Sequence, residues 1–228
     1  MNIAKQKMRL VSKDNLTGTF WLLKFDSVKP FKFSAGQYIS LKVDEQGHRR
    51  SYSIASSPSQ SQIELLIDVS PMGIGSRYVL GLKQADEVEI LGPLGRFGIN
   101  GKLGKKLFVA TGCGIVPLRS MTLNLLETNH SSQKHLVWGL RHETDLFWQE
   151  EFIGLTKKHP DFSYDIILSR PDQGWRGKRG HVNDVLKQTD WSDWEVYLCG
   201  NQEMISQLTS WFSASGLSQS HIYVERFY

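Results

Sequence analysis

The sequence predicts two domains of different class: an antiparallel β-barrel or sandwich, followed by a doubly wound parallel sheet covered by helices. Residues 1–100 carry short runs that alternate apolar with polar residues, and Gly, Pro, Ser and Asp separate them. This pattern is typical of antiparallel strands with one buried face. After residue 105 the runs become solidly apolar and helical spacing fills the gaps between them. Strands that alternate with helices predict a parallel sheet.

Five short runs form the predicted first sheet. Ile63, Leu65 and Ile67 recur at every second position of the fourth run, which marks one buried face of a strand. The runs are TFWLLKFD (19–26), QYISLKV (37–43), RSYSIAS (50–56), QIELLIDVS (62–70) and DEVEILG (86–92). A segment rich in Gly and Lys follows at 92–106. We place the domain boundary there, which gives domains at 1–100 and 101–228.

The second domain is predicted to contain five strands and four helices. The strands are KLFVA (106–110), HLVWGL (135–140), YDIILS (164–169), EVYLCG (195–200) and HIYVERFY (221–228). Leu118, Met121 and Leu125 predict the first helix by their spacing. The segments DLFWQEEFIGL (145–155) and HVNDVLKQ (181–188) predict the next two, and apolar residues at 204–212 predict the fourth.

The composition excludes several classes of protein. With 40% hydrophobic and 22% charged residues, the chain is expected to fold as a globular protein. A net charge of +4 favours anionic partners, but no basic stripe accompanies it, so nucleic acid is not an expected partner. The chain has two cysteines, which form neither a disulfide framework nor a CxxC metal site, and no metal is expected. Without a signal-peptide pattern or a long apolar run, a cytoplasmic location with no membrane attachment is expected.

The turn TGCGIVPLRS (111–120) is the strongest single candidate for a ligand site. It follows the first predicted parallel strand and opens a helix, whose free N–H groups can bind a pyrophosphate. Gly112 and Gly114 would let a ligand approach the backbone closely, and Pro117 suits a first helical turn. A tight strand-to-helix turn without a ligand fits the same residues, so this motif alone does not decide between the two.

Several motifs in a fixed order make the chain resemble the ferredoxin–NADP reductase family, and the resemblance covers nearly the whole chain. Besides the turn at 111–120, they are RSYS (50–53), GIGS (73–76) and YLCGN (197–201), with FSAGQY (33–38) and GPLGRFG (92–98) as further matches. The resemblance implies an FAD-binding barrel followed by a nicotinamide dinucleotide domain. One motif departs from the family: Cys113 stands where the family has Thr. A thiol is a weaker hydrogen-bond donor than a hydroxyl, so this contact to the dinucleotide is in question.

The resemblance also implies roles in the barrel. Arg50 would pair with the flavin phosphates, since its guanidinium makes bidentate bonds to such groups. Tyr52 would lie along the isoalloxazine ring, with Ser53 near flavin N5. The other predicted flavin contacts are Ser51, Gly73, Gly75 and Ser76. An ordinary barrel strand with a half-buried Tyr and a solvated Arg is the alternative.

In the second domain the resemblance implies a dinucleotide site at the carboxyl ends of the strands. Cys199 would lie beside the nicotinamide, although a Cys at a strand end is often only a small buried residue. The other predicted contacts are Thr111, Gly112, Cys113, Gly114, Pro117, Arg141 and Gly200. After the third strand, Ser169, Arg170 and Arg179 resemble residues that bind the 2′-phosphate of NADPH. NADPH is favoured, because NADH enzymes tend to place an acid here and the nearest acid, Asp172, is offset by two positions. NADH stays open as the alternative.

The end of the chain, YVERFY, contains the last predicted site residues. Relatives end in an aromatic residue that covers the flavin. Tyr228 resembles one such ending as the last residue, although Glu225 lies three residues before it and not two, and Phe227 resembles an acid-basic-Phe ending, so both stay open. Glu225 would be a polar group near the flavin. A closing edge strand with incidental aromatic residues is the alternative.

Together these motifs predict a flavoenzyme that takes hydride from NAD(P)H onto FAD, with Ser53, Cys199 and Glu225 at the transfer site. The expected partner is a ferredoxin or flavodoxin-like carrier, because such carriers are acidic and this chain is basic. The alternatives are the reductase component of an oxygenase system, a free-flavin reductase, and a non-catalytic flavin subunit that transfers electrons. A monomer is expected.

Overall fold

The structure is a computed structural model that describes residues 3–27, 29–99, 104–187 and 189–226. The chain forms two compact units, residues 1–99 with 119–124, and residues 100–118 with 125–228. Each unit has its own six-stranded sheet, the first antiparallel and the second parallel. The predicted fold class is therefore confirmed.

The sheet of the first unit closes into a barrel. Its strands are β1 (Ala4–Thr17), β2 (Phe20–Ser27), β3 (Tyr38–Lys42), β4 (Arg49–Ser53), β5 (Ile63–Asp68) and β6 (Glu87–Leu94). They lie in the order β4-β3-β6-β1-β2-β5. An antiparallel bridge between Ile54 and Leu65 joins the two end strands. Closure removes the open edges of the sheet and encloses an apolar core that includes Phe25, Ile39 and Leu41.

Two elements of this unit were not among the predicted runs. β1 was missed because its outward positions are charged, with Lys7 and Arg9 alternating with the buried Met8 and Leu10. A helix, α1 (Ile74–Gly81), crosses between β5 and β6. It begins inside the GIGS motif, at Ile74.

The second unit alternates strands and helices. The strands are β7 (Lys105–Thr111), β8 (Lys134–Leu140), β9 (Phe162–Leu168), β10 (Lys178–Arg179), β11 (Trp194–Gly200) and β12 (Ile222–Arg226). The helices that alternate with them are α2 (Ile115–Glu127), α3 (Gln149–Lys158), α4 (Val182–Leu186) and α5 (Gln202–Ala214), and residues 119–124 of α2 are grouped with the first unit. The strand order is β10-β9-β8-β7-β11-β12. The chain thus leaves β7 in one direction and returns beside it as β11, so the switch point of the sheet lies between these two strands.

Two of the predicted helices have different bounds in the structure. The helix predicted over 145–155 starts only at Gln149, because residues 143–145 form a separate 3-10 turn. The helix predicted over 181–188 is the short α4, and Gln188 lies outside the described residues. The two-residue strand β10 was not predicted, since its length leaves no periodic pattern.

A buried ion pair lies inside the second unit. Lys106 and Glu195 are 2.8 Å apart and each side chain is 1% exposed. The hydroxyl of Tyr197 donates to Glu195 at 3.0 Å. This polar group sits beside the apolar core formed by β7, β8, β11 and α5. Removing either partner would leave the other as a buried charge without a counter-charge.

In the described part of the chain, no helix is long and apolar enough to cross a membrane. Within the same residues, no three His, Cys, Asp or Glu side chains group closely enough to hold a metal ion.

Candidate functional site

In the first unit, Arg50 and Tyr52 lie on one face of β4. Arg50 pairs with Leu41 and Tyr52 pairs with Ile39 on β3. Opposite residues of an antiparallel pair point to the same side, so both side chains share the face of two fully buried residues. Ser51 and Ser53 alternate onto the other face, and Ser53 pairs with Tyr38. The structure therefore groups Arg50 with Tyr52 and separates Ser53 from them along the strand.

The start of α1 packs directly against this face of β4. A Cβ placed on Gly75 would overlap the hydroxyl of Tyr52 and lie 3.0 Å from Cγ of Arg50. Only glycine allows the helix to approach so closely. The two motifs RSYS and GIGS, separated by a whole strand in sequence, therefore form one site.

This site has the properties of an anion site. The N-cap of α1 is Gly73, which has no side chain to bond the first N–H groups, and the first turn contains no acidic residue. Uncapped N–H groups and the helix dipole favour a phosphate at such an end. The guanidinium of Arg50 donates to the carbonyl of Arg49 at 2.8 Å and has no carboxylate partner among the described residues. Residues 50, 73, 75 and 76 therefore fit the pyrophosphate half of FAD.

Tyr52 is half-buried beside Arg50. Burial raises the pKa of the Tyr52 phenol, and the nearby Arg50 cation acts in the opposite direction. The phenol therefore stays neutral near pH 7 and can offer a flat apolar face with a polar tip.

In the second unit, the predicted glycines lie at the switch point of the sheet. The TGCG residues end β7 and turn into α2, and Gly112 has φ of +52°. A Cβ on Gly114 would overlap the carbonyl of Cys199, and one on Gly200 would overlap the hydroxyl of Thr111. The Thr111 hydroxyl accepts from the backbone N–H of Asn201 at 2.8 Å. The turn after β7 and the turn after β11 are thus packed together at their backbones.

Pro117 is the third residue of α2, inside the first helical turn where its missing N–H costs little. Sequence reasoning missed Trp138, whose indole N–H donates to the carbonyl of Gly112 at 3.0 Å. Asn201, the last residue of the YLCGN motif, caps α5 by accepting from Glu203 N at 2.8 Å. Both residues hold the two turns in place, and the contact of Trp138 belongs to no spacing that single-sequence patterns could reveal.

Cys199 and Glu225 lie side by side on β11 and β12. The Cys199 side chain is fully buried. Burial raises its pKa well above the usual thiol range, and the charges of Glu225 and Cys113 raise it further. Burial also raises the pKa of Glu225, which is partly exposed. Neither cysteine is in a disulfide. The Cys199 thiol therefore stays protonated near pH 7.

The basic residues after β8 and β9 are held through their backbones. The N–H of Arg170 donates to the carbonyl of Arg141 at 2.8 Å, and the N–H of Ser169 donates to Leu140 at 3.0 Å. His142, another residue that sequence reasoning missed, has Nδ1 3.0 Å from the Arg170 carbonyl. The side chains of Arg141 and Arg170 are exposed.

Arg179 uses part of its guanidinium to organise its own loop. Its Nη2 donates to the carbonyls of Asp172 at 3.1 Å, Gln173 at 3.4 Å and Trp175 at 2.7 Å. The loop 171–179 is thereby folded around this side chain. The role of Arg179 as a phosphate ligand stays a prediction. Phe227 and Tyr228, the other predicted contacts of the flavin, lie outside the described residues.

Comparison with known proteins identifies both domains. Residues 7–99 match the oxidoreductase FAD-binding domain family, and residues 108–209 match the oxidoreductase NAD-binding domain family. Ferredoxin–NADP reductase B of Sorangium cellulosum is 32% identical over 212 residues, which cover 87% of each chain. The chain belongs to the ferredoxin–NADP reductase family. The cofactors implied by the resemblance, FAD and a nicotinamide dinucleotide, are those of this family's two domains.

Two other relatives of this family member are longer. The electron transfer component of anthranilate 1,2-dioxygenase from Acinetobacter baylyi is 31% identical over 204 residues, which cover 88% of this chain and 60% of that protein. The crystal structure of an Amycolatopsis cytochrome P450 reductase has a TM-score of 0.92 at 25% identity, and the match covers 99% of this chain and 70% of that one. The chain therefore spans 60% to 70% of the length of these two relatives.

The two thiols of this family member are expected to differ in reactivity. Alkylating reagents react with the thiolate form of cysteine. The raised pKa of Cys199 keeps its thiolate fraction small. At pH 8 we expect iodoacetamide to modify Cys113, which is partly exposed, about tenfold faster or more than Cys199. Mass spectrometry of peptides after timed labelling measures both rates.

The labelling rate of Cys199 should rise with pH, because its thiolate fraction keeps growing up to its raised pKa. In Cys113→Ser the fast reaction should disappear, and in urea Cys199 should become reactive. Equal rates for both thiols in the folded protein would contradict the burial of Cys199.

Proposed function

We propose that this protein is an FAD-dependent oxidoreductase that takes hydride from NAD(P)H and delivers electrons to a protein carrier such as a ferredoxin or flavodoxin. Residues 1–100 would form the FAD domain and residues 101–228 the dinucleotide domain. The main support is the packing at the switch point between β7 and β11, where the turn at 112–114 meets Cys199. Open parallel sheets bind their ligands at such a crevice.

In the FAD domain, Arg50 would neutralise the pyrophosphate together with the N–H groups of residues 73–76. The contact of Gly75 with Arg50 and Tyr52 supports this assignment. Tyr52 would lie against the isoalloxazine ring, and Phe227 or Tyr228 would cover its other face. Ser51 and Ser53, on the other face of β4, would contact the flavin mainly through the backbone of the strand. The side chain of Ser53 would also reach the reacting edge of the isoalloxazine ring.

In the dinucleotide domain, the backbone at Thr111, Gly112, Cys113 and Gly114 would bind the pyrophosphate, with α2 and its Pro117 behind it. The exposed cations Arg141 and Arg170, together with Ser169 and Arg179, would hold the adenosine end. This set favours NADPH over NADH, because a 2′-phosphate gains most from nearby guanidinium groups. Gly200 would leave room for the nicotinamide.

When bound, FAD supplies the acceptor for the hydride of the reduced nicotinamide. The protein's contribution would be orientation and exclusion of water, since hydride transfer depends on close approach. Cys199 would offer a small neutral thiol beside the nicotinamide, consistent with its raised pKa. Glu225 and Ser53 would complete the transfer site as polar groups.

The net charge and the relatives each favour a class of electron acceptor. A net charge of +4 favours an acidic carrier protein. A second candidate role is the reductase component of an oxygenase system, which the likeness to the anthranilate 1,2-dioxygenase electron transfer component supports. We further propose that the protein is a monomer and that it is cytoplasmic, a location that fits two cysteines that are not in a disulfide.

The first test is the visible spectrum of the purified protein, followed by anaerobic addition of NADPH and of NADH in separate cuvettes. A yellow protein that bleaches within seconds supports the reductase, and the faster coenzyme gives the preference. Flavin that stays oxidised with both would overturn it in favour of a non-catalytic electron-transfer subunit. Turnover with ferredoxin, flavodoxin, an oxygenase component or free FMN then separates the acceptors.

Replacing Arg170 with alanine should raise the Michaelis constant for NADPH about tenfold or more, and that for NADH by less than about twofold. The reason is the loss of a charge-assisted bond that only the 2′-phosphate can accept. Steady-state reduction of ferricyanide with both coenzymes measures the difference. Arg176→Ala is the matched control, since Arg176 is an exposed cation of the same loop. Equal effects of Arg170→Ala on both coenzymes would remove this residue from the phosphate site.

A further inference from the structure

Lys13 lies in the middle of β1 but does not share the outward face of the other β1 cations. The pairing of β1 with β2 shifts register between Leu10 and Ser12. Such a bulge reverses the alternation of side chains along the strand. Lys13 consequently pairs with Leu23, which is fully buried, whereas an unbroken strand would have turned it outward with Lys7.

The bulge brings the Lys13 ammonium to the carboxyl end of α1. Its Nζ donates to the carbonyls of Leu80 at 2.7 Å and Leu82 at 2.6 Å, with Val79 at 3.4 Å. The same ammonium lies 5.5 Å from the centre of the Trp21 ring. One side chain thus bonds to three carbonyls of the last helical turn and its exit.

α1 needs such a partner because it has few means of its own to end stably. Its last turn contains no basic residue, and its C-cap, Leu82, is extended rather than a left-handed glycine. Helix ends leave carbonyls without intrahelical donors, and a cation there also interacts favourably with the dipole. A helix of 8 residues cannot be stable in isolation. Val79, fully buried, holds it to the barrel from one side.

We propose that Lys13 is a positioning residue for FAD. By capping the carboxyl end of α1, it holds the helix so that the N–H groups at Gly75 and Ser76 face the pyrophosphate beside Arg50. This inference rests on the proposed FAD site. Lys13 itself does not touch the cofactor, because it binds the opposite end of the helix, about 12 Å along its axis.

The test compares FAD with riboflavin, which lacks both phosphates. Apoprotein prepared from the full chain is titrated with each flavin by fluorescence quenching, for the wild type, Lys13→Met, Lys13→Gln and Lys13→Arg. We expect Lys13→Met and Lys13→Gln to weaken FAD about tenfold and to change riboflavin by less than about twofold. Lys13→Arg should restore most of the FAD affinity, since a guanidinium can donate to the same carbonyls. Lys7→Met, which removes an outward cation of the same strand, should leave both affinities unchanged.

The outcomes distinguish a failure of the Lys13 role from a failure of the proposed FAD site. A wild type that binds riboflavin as tightly as FAD would refute the phosphate site itself. A wild type that prefers FAD, together with a Lys13→Met protein of unchanged preference, would overturn the role of Lys13 alone. A drop in both affinities by the same factor, without rescue by Lys13→Arg, would reduce Lys13 to a general structural contact and likewise overturn it.

Discussion

Replacing Arg50 with alanine is expected to lower the affinity for FAD by about two orders of magnitude, so that the protein purifies largely colourless. Two features of the site give this effect its size. Within the residues that the structure describes, Arg50 brings to the start of α1 a guanidinium that has no carboxylate partner. The helix end adds N–H groups, and the other guanidinium near it, that of Arg77, already donates to the carbonyl of Met72 at 2.6 Å. A phosphate there would lose its charge-assisted bonds and gain nothing in return.

Titration of apoprotein with FAD measures the change, and Arg49→Ala is the matched control. Arg49 precedes Arg50 on the same strand but forms an ion pair with Glu89 at 2.8 Å on the outer face. We expect Arg49→Ala to change FAD binding by less than about twofold, because surface ion pairs contribute little. Equal losses in the two variants would mean that net charge, rather than the Arg50 contact, determines binding.

The fold class could be predicted because each domain has its own periodicity. Ile63, Leu65 and Ile67 alternate as a barrel strand must, and residues 107–110 form the unbroken apolar run of a strand covered on both faces. These signals are local, so they survive in a single sequence. β1 was not predicted, because its outward positions are charged and only two of its positions, Met8 and Leu10, are fully buried. The ends of helices were predicted wrongly where a separate turn adjoins the helix, as at the start of α3.

The candidate site was predicted by motif and not by contact. The resemblance linked Arg50 to the residues at 73–76, but nothing in the sequence shows that Gly75 must be glycine because Tyr52 lies against it. Contacts such as Trp138 with Gly112 depend on which strands are neighbours. Register across a sheet is a property of the whole fold, so these partners could not be read from spacing along the chain.

The case of Lys13 shows the same limit more sharply. Simple alternation along β1 places it with Lys7 on the outer face. The bulge after Leu10 reverses that placement and creates the contact with α1. The sequence does not predict the bulge, because Val11 is a residue that is common in regular strands. The device that positions the helix is therefore visible only in three dimensions.

Replacing Gly114 with alanine should destabilise the protein by about 3 kcal/mol, near the upper limit for overpacking a closed site. The new Cβ would overlap the carbonyl of Cys199 and crowd the backbone of Gly200. Backbone in a central strand cannot turn away as a flexible side chain can, so β7 and β11 would have to separate at the switch point. We expect the midpoint of thermal unfolding to fall by roughly 6 to 12 °C. Affinity for the dinucleotide should fall as well, because the crevice between the two turns is distorted.

Two other glycines separate the causes of this effect. Gly104→Ala meets open space and should leave stability within about 0.5 kcal/mol of the wild type. Gly112→Ala also meets open space, but its φ of +52° should cost about 1 to 2 kcal/mol through backbone strain alone. Urea unfolding of the three variants therefore ranks contact above strain and strain above a neutral change. A Gly114→Ala protein as stable as Gly104→Ala would show that the turn after β7 and the strand end at Cys199 are not packed at their backbones, and the switch-point site would lose its main support.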